Sequence, residues 1–399
     1  MDIPPAMSTN YATSEGTKKY TQAHGLPKQS YRVLGRTGLT SSTVGFGCYR
    51  VHAGVPEHQS SMAKALLGGC NLIDTSTNYG DGGSEVCVGE VVARLIADKK
   101  LSRDQVIVVS KVGYVQGSNL ERAEERIKEN DPYPDMVKYM DGCWHCIHPD
   151  FIRDQIELSL ARTGLDCIDV YLLHNPEYYL MDSVNHGKDI SPANLHKEFY
   201  RRIKDAFGAL EELVEEGLIK YYGVSSNTLG GSGGDLTTTS LTRMHKVASE
   251  FPNNHFAVVQ LPFNLFETGP LTERNEGDNR SASVLEYADQ NGFAVLVNRP
   301  LNAFYHDRLM RLAEQVRDPK GQLHKQNVGE ILSRIDPFLP TSWKGAPLSQ
   351  KAIGTIINSR GVSSVLTGMR TPTYVDDTLS AAKLEPGQIP PELFESLTE

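Results

Sequence analysis

From Val44 onward, short apolar runs alternate with longer amphipathic stretches, the pattern of repeated parallel βα units. Eight runs read as strands: Thr43 to Cys48, Asn71 to Thr75, Val106 to Lys111, Ile168 to His174, Ile219 to Ser225, Ala257 to Leu261, Phe293 to Asn298, and Ser363 to Thr367. Most are continuously apolar, as strands buried on both faces should be. Eight helices are predicted between and after them: Ser60 to Leu67, Ser84 to Ala97, Asp150 to Arg162, Phe199 to Glu216, Leu241 to Glu250, Ala282 to Asn291, Gln350 to Arg360, and Thr373 to Ala382. The pattern predicts an α/β chain folded as a (β/α)8 TIM barrel, one domain over residues 31–399.

Local signals refine this picture. In the third helix Ile152, Ile156 and Leu160 mark one apolar face, Asp150 is the expected N-cap, and Gly164 is placed to end the unit. A bare barrel needs roughly 250 residues. The excess falls in three stretches, about Gly113 to Pro149, Glu177 to Lys197 and Asn302 to Pro347. Each follows a strand, so each belongs to the C-terminal rim, where barrel sites form, as a wall or lid. Tyr178, Tyr179, Tyr305 and His306 in these loops are candidate substrate contacts or simple rim cover. The Gly-rich run Leu229 to Gly234 reads as a mobile loop on the same rim. Met1 to about Ser30 shows neither apolar period and is expected to be a flexible extension.

Composition narrows the function classes. A net charge of −9 gives no basic footprint for nucleic acid or an anionic membrane. No stretch reaches the roughly 20 consecutive apolar residues of a membrane span, and the N-terminus lacks a signal-peptide core. A cytoplasmic protein is expected. Six cysteines in so long a chain do not form the disulfide framework of a small secreted domain, so reduced thiols are expected.

The candidate chemistry lies at strand ends. Asp74 closes the second strand, Tyr79 follows five residues later, Lys111 closes the third, and His174 closes the fourth. Taken singly each has an ordinary reading as packing or solvated surface; together they put four polar groups on one rim of three adjacent strands. A tyrosine with a pKa of about 10 is a poor acid at neutral pH, but an adjacent ammonium stabilises its phenolate. Lys111 is suited to lower the Tyr79 pKa, and Asp74 to keep the lysine charged. Tyr79 could then protonate a carbonyl oxygen as hydride reaches the carbon, with His174 hydrogen-bonding the same oxygen. In oxidation Tyr79 would be the base.

These residues, with the lead-in Tyr31-Arg32-Val33-Leu34-Gly35-Arg36-Thr37-Gly38-Leu39 and the strand Val44-Gly45-Phe46-Gly47, resemble the aldo-keto reductase superfamily over roughly Tyr31 to Leu384. The resemblance implies a (β/α)8 barrel, the catalytic set Asp74, Tyr79, Lys111 and His174, and an extended nicotinamide cofactor across the rim. NADP(H) is implied ahead of NAD(H). Gly223-Val224-Ser225-Ser226-Asn227 resembles the motif at the nicotinamide amide, with Ser226 in the usual asparagine place and Asn227 one later; Gln260 matches the family glutamine there. Gly47, Cys48, Tyr49 and Asp74 stand beside the nicotinamide, and Arg299 and Leu301 stand where the pyrophosphate is met. Gly368, Arg370, Tyr374, Asp377 and Thr378 resemble the adenosine grip, although Tyr374 and Thr378 replace the usual arginine and asparagine. The implied reaction is NAD(P)H-dependent reduction of a small aldehyde or ketone, or the reverse alcohol oxidation.

Other readings are weaker. Gly45-Phe46-Gly47 begins like a dinucleotide fingerprint, but Arg50 stands where the third glycine belongs. Cys143, His145, Cys146 and His148 are of zinc-ligand type without a second cysteine pair, so no metal is assigned; loop packing or a pocket wall is the alternative. A Schiff-base aldolase using Lys111 and a cofactor-binding regulatory barrel remain as rival functions. Neither the substrate nor the oligomeric state is legible.

Overall fold

The computed structural model describes residues 10–305, 308–317, 323–325 and 327–398. Eight parallel strands close into a barrel: β1 (Val44–Gly47), β2 (Leu72–Asp74), β3 (Ile107–Val112), β4 (Ile168–His174), β5 (Ile219–Ser225), β6 (Phe256–Pro262), β7 (Ala294–Asn298) and β8 (Ser364–Thr367). Neighbours in sequence are neighbours in space, and β8 returns to β1 through the pairing of Val365 with Val44. The outer ring contains α1 (Pro56–Leu67), α2 (Gly83–Ala97), α3 (Pro149–Thr163), α4 (Pro192–Glu215), α5 (Leu241–Ala248), α6 (Val284–Gln290), α7 (Leu348–Ile357) and α8 (Pro372–Ala382). All eight predicted strands and helices are present.

The strands form because they are packed from both sides. Inside the barrel Leu72, Ile107, Val109, Val170, Leu172, Val258, Leu296 and Leu366 are buried together with Leu34 and Leu39. Those two leucines belong to the antiparallel hairpin Tyr31–Val33/Thr40–Ser42, which stops the end opposite the site. The other strand residues, among them Phe46, Ile73, Val108, Tyr171 and Val259, pack outward against the helices. Both faces being apolar is what erases the period-2 signal.

Two expectations are corrected. Residues 10–30 are not a loose extension: Ser14–Ala23 is a helix, Tyr20 is fully buried with its hydroxyl on the Leu66 carbonyl, and the Ala12 N–H donates to Asp169 Oδ1 at 2.6 Å. These polar bonds, with burial of the scattered apolar residues Ala12, Tyr20 and Leu26, hold the segment without any periodic apolar stripe. In α3 the N-cap is His148, not Asp150. Pro149 opens the helix two residues before an Asp150 cap would allow, because its missing N–H is one the first turn leaves unpaired anyway, and the His148 ring accepts from the Asp150 N–H at 3.3 Å. Gly164 ends the helix in the left-handed conformation expected of it.

The long loops are built. The first insertion carries a helix, Ser118–Lys128, and a three-stranded antiparallel sheet of Tyr114–Val115, Cys143–His145 and Val137–Met140. The second contains the helix Tyr178–Asn185, and the third has two hairpins and the helix Gly329–Ile335. His306 and the side chain of Tyr305 lie outside the described residues. The Gly-rich loop is tied by the Thr238 hydroxyl to the Ser232 carbonyl at 2.8 Å. Among the described residues no helix is long and apolar enough to cross a membrane.

Candidate active site

The barrel delivers Asp74, Lys111 and His174 to one rim because each ends or nearly ends its strand, β2, β3 and β4. Lys111 is completely buried and spends its three N–H donors on Asp74 Oδ2 at 2.8 Å, the Thr75 carbonyl at 2.8 Å and the Tyr79 hydroxyl at 3.3 Å. The second Asp74 oxygen accepts from Gln260 Nε2 at 2.8 Å, and Gln260 Oε1 accepts from the Ser225 hydroxyl at 3.1 Å. A continuous polar chain therefore crosses the barrel mouth from β5 and β6 to the half-buried phenol of Tyr79.

His174 faces Tyr79 edge to face, with ring centroids 5.9 Å apart. Its Nδ1 is 3.0 Å from the Ser76 hydroxyl, and its backbone carbonyl accepts from His145 Nε2 at 2.7 Å. Gly113, at φ +155°, makes room for that last bond, because a Cβ there would lie 2.5 Å from the His174 oxygen and 2.6 Å from His145 Nε2. Tyr114 stands edge-on to His174 at 4.7 Å and receives Asn175 Nδ2 on its hydroxyl at 2.8 Å. His145 stacks on Tyr178 at 5.3 Å, so the first two insertions meet beside the histidine.

Burial sets the charges. It pushes the Tyr79 phenol up to about 12; Lys111 pulls the other way but does not win, so the expected net lowering is not found in this structure. Burial disfavours the Lys111 ammonium as well, yet Asp74 and Tyr79 outweigh it and the lysine is held more firmly charged than usual. Burial, then the Lys111 and His145 charges, depress His174 far below the ordinary histidine range. Burial also raises Glu177, just beyond β4, to about 7. One Glu177 oxygen accepts from the Asn227 backbone N–H at 2.7 Å; the other is buried with no hydrogen-bond partner among the described residues.

The remaining expected residues spread along the rim. Cys48 is turned inward and fully buried, while Tyr49 is 66% exposed and edge-on to Tyr79 at 5.4 Å. Ser226 faces Thr239 at 2.9 Å instead of the polar chain that Ser225 joins. Arg299, in the left-handed conformation at φ +54°, pairs with Glu267 at 2.9 Å, next to half-buried Leu301. Gly368 is exposed, Arg370 and Tyr374 are half-buried at the start of α8, Asp377 accepts from Gln350 at 2.9 Å, and Thr378 meets Thr367 at 3.1 Å. The four side chains of the cysteine and histidine cluster go to separate partners: Cys143 receives Gln116 Nε2, His145 binds the His174 carbonyl, Cys146 receives the His148 N–H, and His148 caps α3. All six cysteines are free thiols.

The model of the aldo/keto reductase family matches residues 43–390, nearly the whole barrel. The chain belongs to the aldo/keto reductase family. It is thereby an NAD(P)-dependent oxidoreductase acting on carbonyl and alcohol groups. It is similar to the NADH-specific methylglyoxal reductase of Escherichia coli, 21% identical over 92% of this chain and 97% of the relative. Among solved structures it is similar to the glycerol dehydrogenase of Gluconobacter oxydans, with TM-score 0.58, 22% identity, and 93% and 95% of the two chains covered. It is also similar to an aldo/keto reductase from Klebsiella pneumoniae in complex with NADP and acetate, with TM-score 0.52, 18% identity and 92% of each chain covered.

For a family member, the rim fits a nicotinamide dinucleotide. Gly368 has open space where a Cβ would stand, the Asn298 Oδ1 atom at the end of β7 is buried without a hydrogen-bond partner among the described residues, and α8 directs the N-terminus of an 11-residue helix at the same edge. Sequence reasoning did not place Ser76 beside His174, Glu177 beneath Asn227, or His145 on the His174 carbonyl. None of these contacts carries a motif.

Proposed function

We propose that the protein reduces a small aldehyde or ketone, with Tyr79 donating the proton to the carbonyl oxygen and His174 hydrogen-bonding that oxygen. The observation that carries this reading is the three-way coordination of Lys111, which ends on the Tyr79 hydroxyl. A phenol with its pKa pushed to about 12 is protonated at neutral pH and carries the proton the carbonyl oxygen needs, but it is a weaker acid than a free tyrosine, so its donation depends on the ammonium beside it. Once the proton leaves, the adjacent ammonium stabilises the phenolate, and Asp74 keeps that ammonium from giving up its own proton. Neutral His174 can hydrogen-bond a carbonyl oxygen without competing as an acid. The bound cofactor supplies the hydride to the carbonyl carbon.

Ser225 and Gln260 are the residues we assign to the nicotinamide amide, with Gly47, Tyr49 and the Cys48 backbone beside it. Arg299 and Leu301 would meet the pyrophosphate, and Gly368, Arg370, Tyr374, Asp377 and Thr378 the adenosine end. Arg370 supports NADP(H) ahead of NAD(H), because a guanidinium matches a 2′-phosphate. The charged state of Lys111 argues against a Schiff base, which needs a free amine.

The test is turnover of NADPH and NADH with a panel of aldehydes, ketones, aldoses and quinones, with Tyr79→Phe alongside. Carbonyl-dependent oxidation lost in Tyr79→Phe, with cofactor still bound, is the expected result. Tight cofactor binding with no turnover across the panel would favour the regulatory reading instead.

A further inference from the structure

A chain of side chains that the proposed proton transfer does not use leads away from His174. Ser76 Oγ lies 3.0 Å from His174 Nδ1 and 2.7 Å from Asn78 Oδ1. Asn78 Nδ2 is 3.2 Å from Gln116 Oε1, and Gln116 Nε2 is 3.1 Å from Cys143 Sγ. The links come from three separate rim segments: the loop after β2, the loop after β3, and the strand Cys143–His145 of the inserted sheet. Ser76 and Cys143 are buried at its two ends.

Proton counting leaves this chain two consistent polarities. A hydroxyl and a neutral imidazole each have one proton to give, an amide donates only from nitrogen, and a thiol can donate or accept. In the polarity that the amide atoms of the structure show, His174 Nδ1–H donates to Ser76, Ser76 to Asn78 Oδ1, Asn78 to Gln116 Oε1, and Gln116 to the Cys143 sulfur. His174 Nε2 is then a bare acceptor and repels a carbonyl oxygen. Turning both amides over exchanges their oxygen and nitrogen ends on the same positions and reverses every link. Cys143 S–H then donates to Gln116, Gln116 to Asn78, Asn78 to Ser76, and Ser76 to His174 Nδ1, which places the ring proton on Nε2.

We propose that Ser76, Asn78, Gln116 and Cys143 are positioning residues that hold His174 in its Nε2–H tautomer, with the Cys143 thiol as the terminal donor. This rests on the reading of the site as a carbonyl reductase, because only a carbonyl oxygen requires a donor at Nε2. The device acts through His174.

Asn78→Asp tests it. A carboxylate only accepts, so Asp in that place takes the Ser76 proton and forces the His174 proton onto Nδ1. With NADPH and 4-nitrobenzaldehyde the expected loss in kcat is roughly 10²-fold, the scale of removing one donor from an oxyanion site, at little change in KM. Ser76→Ala in the same chain unlocks the ring and restores most of the rate, although the introduced charge remains. Nitrogen-15 spectra of histidine-labelled protein loaded with NADP+, with His174 assigned from His174→Gln, read the tautomer directly. Bare Nδ1 is expected in the wild type, bare Nε2 in Asn78→Asp, and exchange between the two tautomers in the double variant, whose ring has lost its Ser76 partner. If Asn78→Asp does not fold, Gln116→Glu imposes the same polarity from the next link. The proposal is overturned if the wild type shows bare Nε2, if the single variant keeps bare Nδ1, or if the double variant is no faster than the single. A wild type that reduces no carbonyl defeats the functional reading, while the spectra still decide the relay.

Discussion

Lys111 and Asp74 form an ion pair of 2.8 Å in which the lysine is wholly withdrawn from solvent and the carboxylate nearly so. Such a pair is retained at a cost, since both ions lose hydration. Its geometry accounts for that cost: the third lysine donor would otherwise have no fixed direction toward Tyr79.

Breaking the pair from one side is expected to be severe. Lys111→Met leaves the Asp74 charge buried and should lower stability by about 3–5 kcal/mol. Adding Asp74→Asn should recover much of that stability but none of the activity. Denaturant unfolding and turnover, measured on the same three proteins, separate the two effects.

Removing the phenol oxygen should do the reverse. Tyr79→Phe keeps the fold and the cofactor affinity, while kcat for carbonyl reduction falls by about 10²–10⁴-fold, the contribution of a positioned general acid. Cofactor fluorescence titration and steady-state kinetics check the two halves.

Glu177 gives a pH signature. Its folded pKa, raised by burial to about 7, lies above the unfolded value of about 4.3. The native state therefore holds a proton that the unfolded state has lost between these values, and stability falls as pH rises through that window, levelling above it. Glu177→Gln should remove the slope, gaining on the order of 3 kcal/mol over the wild type at pH 8 and nothing at pH 4. Melting curves across that range are the measurement, and a slope that survives the substitution assigns it to another group.

Arg370→Ala should raise KM for NADPH by about tenfold or more and leave KM for NADH nearly unchanged, since one charge-assisted contact to a phosphate is worth about 1.5–3 kcal/mol. Equal effects on both cofactors would remove the argument for NADP(H).

The barrel was legible because its strands are apolar on both faces and its helices on one, a repeat that survives without any tertiary knowledge. That Asp74, Lys111 and His174 would share one rim was legible because each ends or nearly ends one of three adjacent strands. The folded N-terminal segment was not: Tyr20 is one aromatic in a polar helix, and a single anchored side chain makes no period. Nor was the start of α3, where Pro149 and His148 did the work assigned to Asp150. Ser76 beside His174, or Glu177 beneath Asn227, joins residues 98 and 50 positions apart, a separation that no local pattern encodes. The direction of the Tyr79 shift was also hidden, because it depends on how deeply the ring is buried and not only on its charged neighbour.

The bond from His145 to the His174 carbonyl has a practical side. His145 sits on the inserted sheet and His174 on the barrel, so a hydrogen bond ties the wall beside the site directly to the strand beneath it. The insertion is therefore not an interchangeable cassette. A loop grafted in from a relative to change what the enzyme accepts must bring its own donor for that carbonyl, or the exchange will retune the catalytic edge along with the pocket.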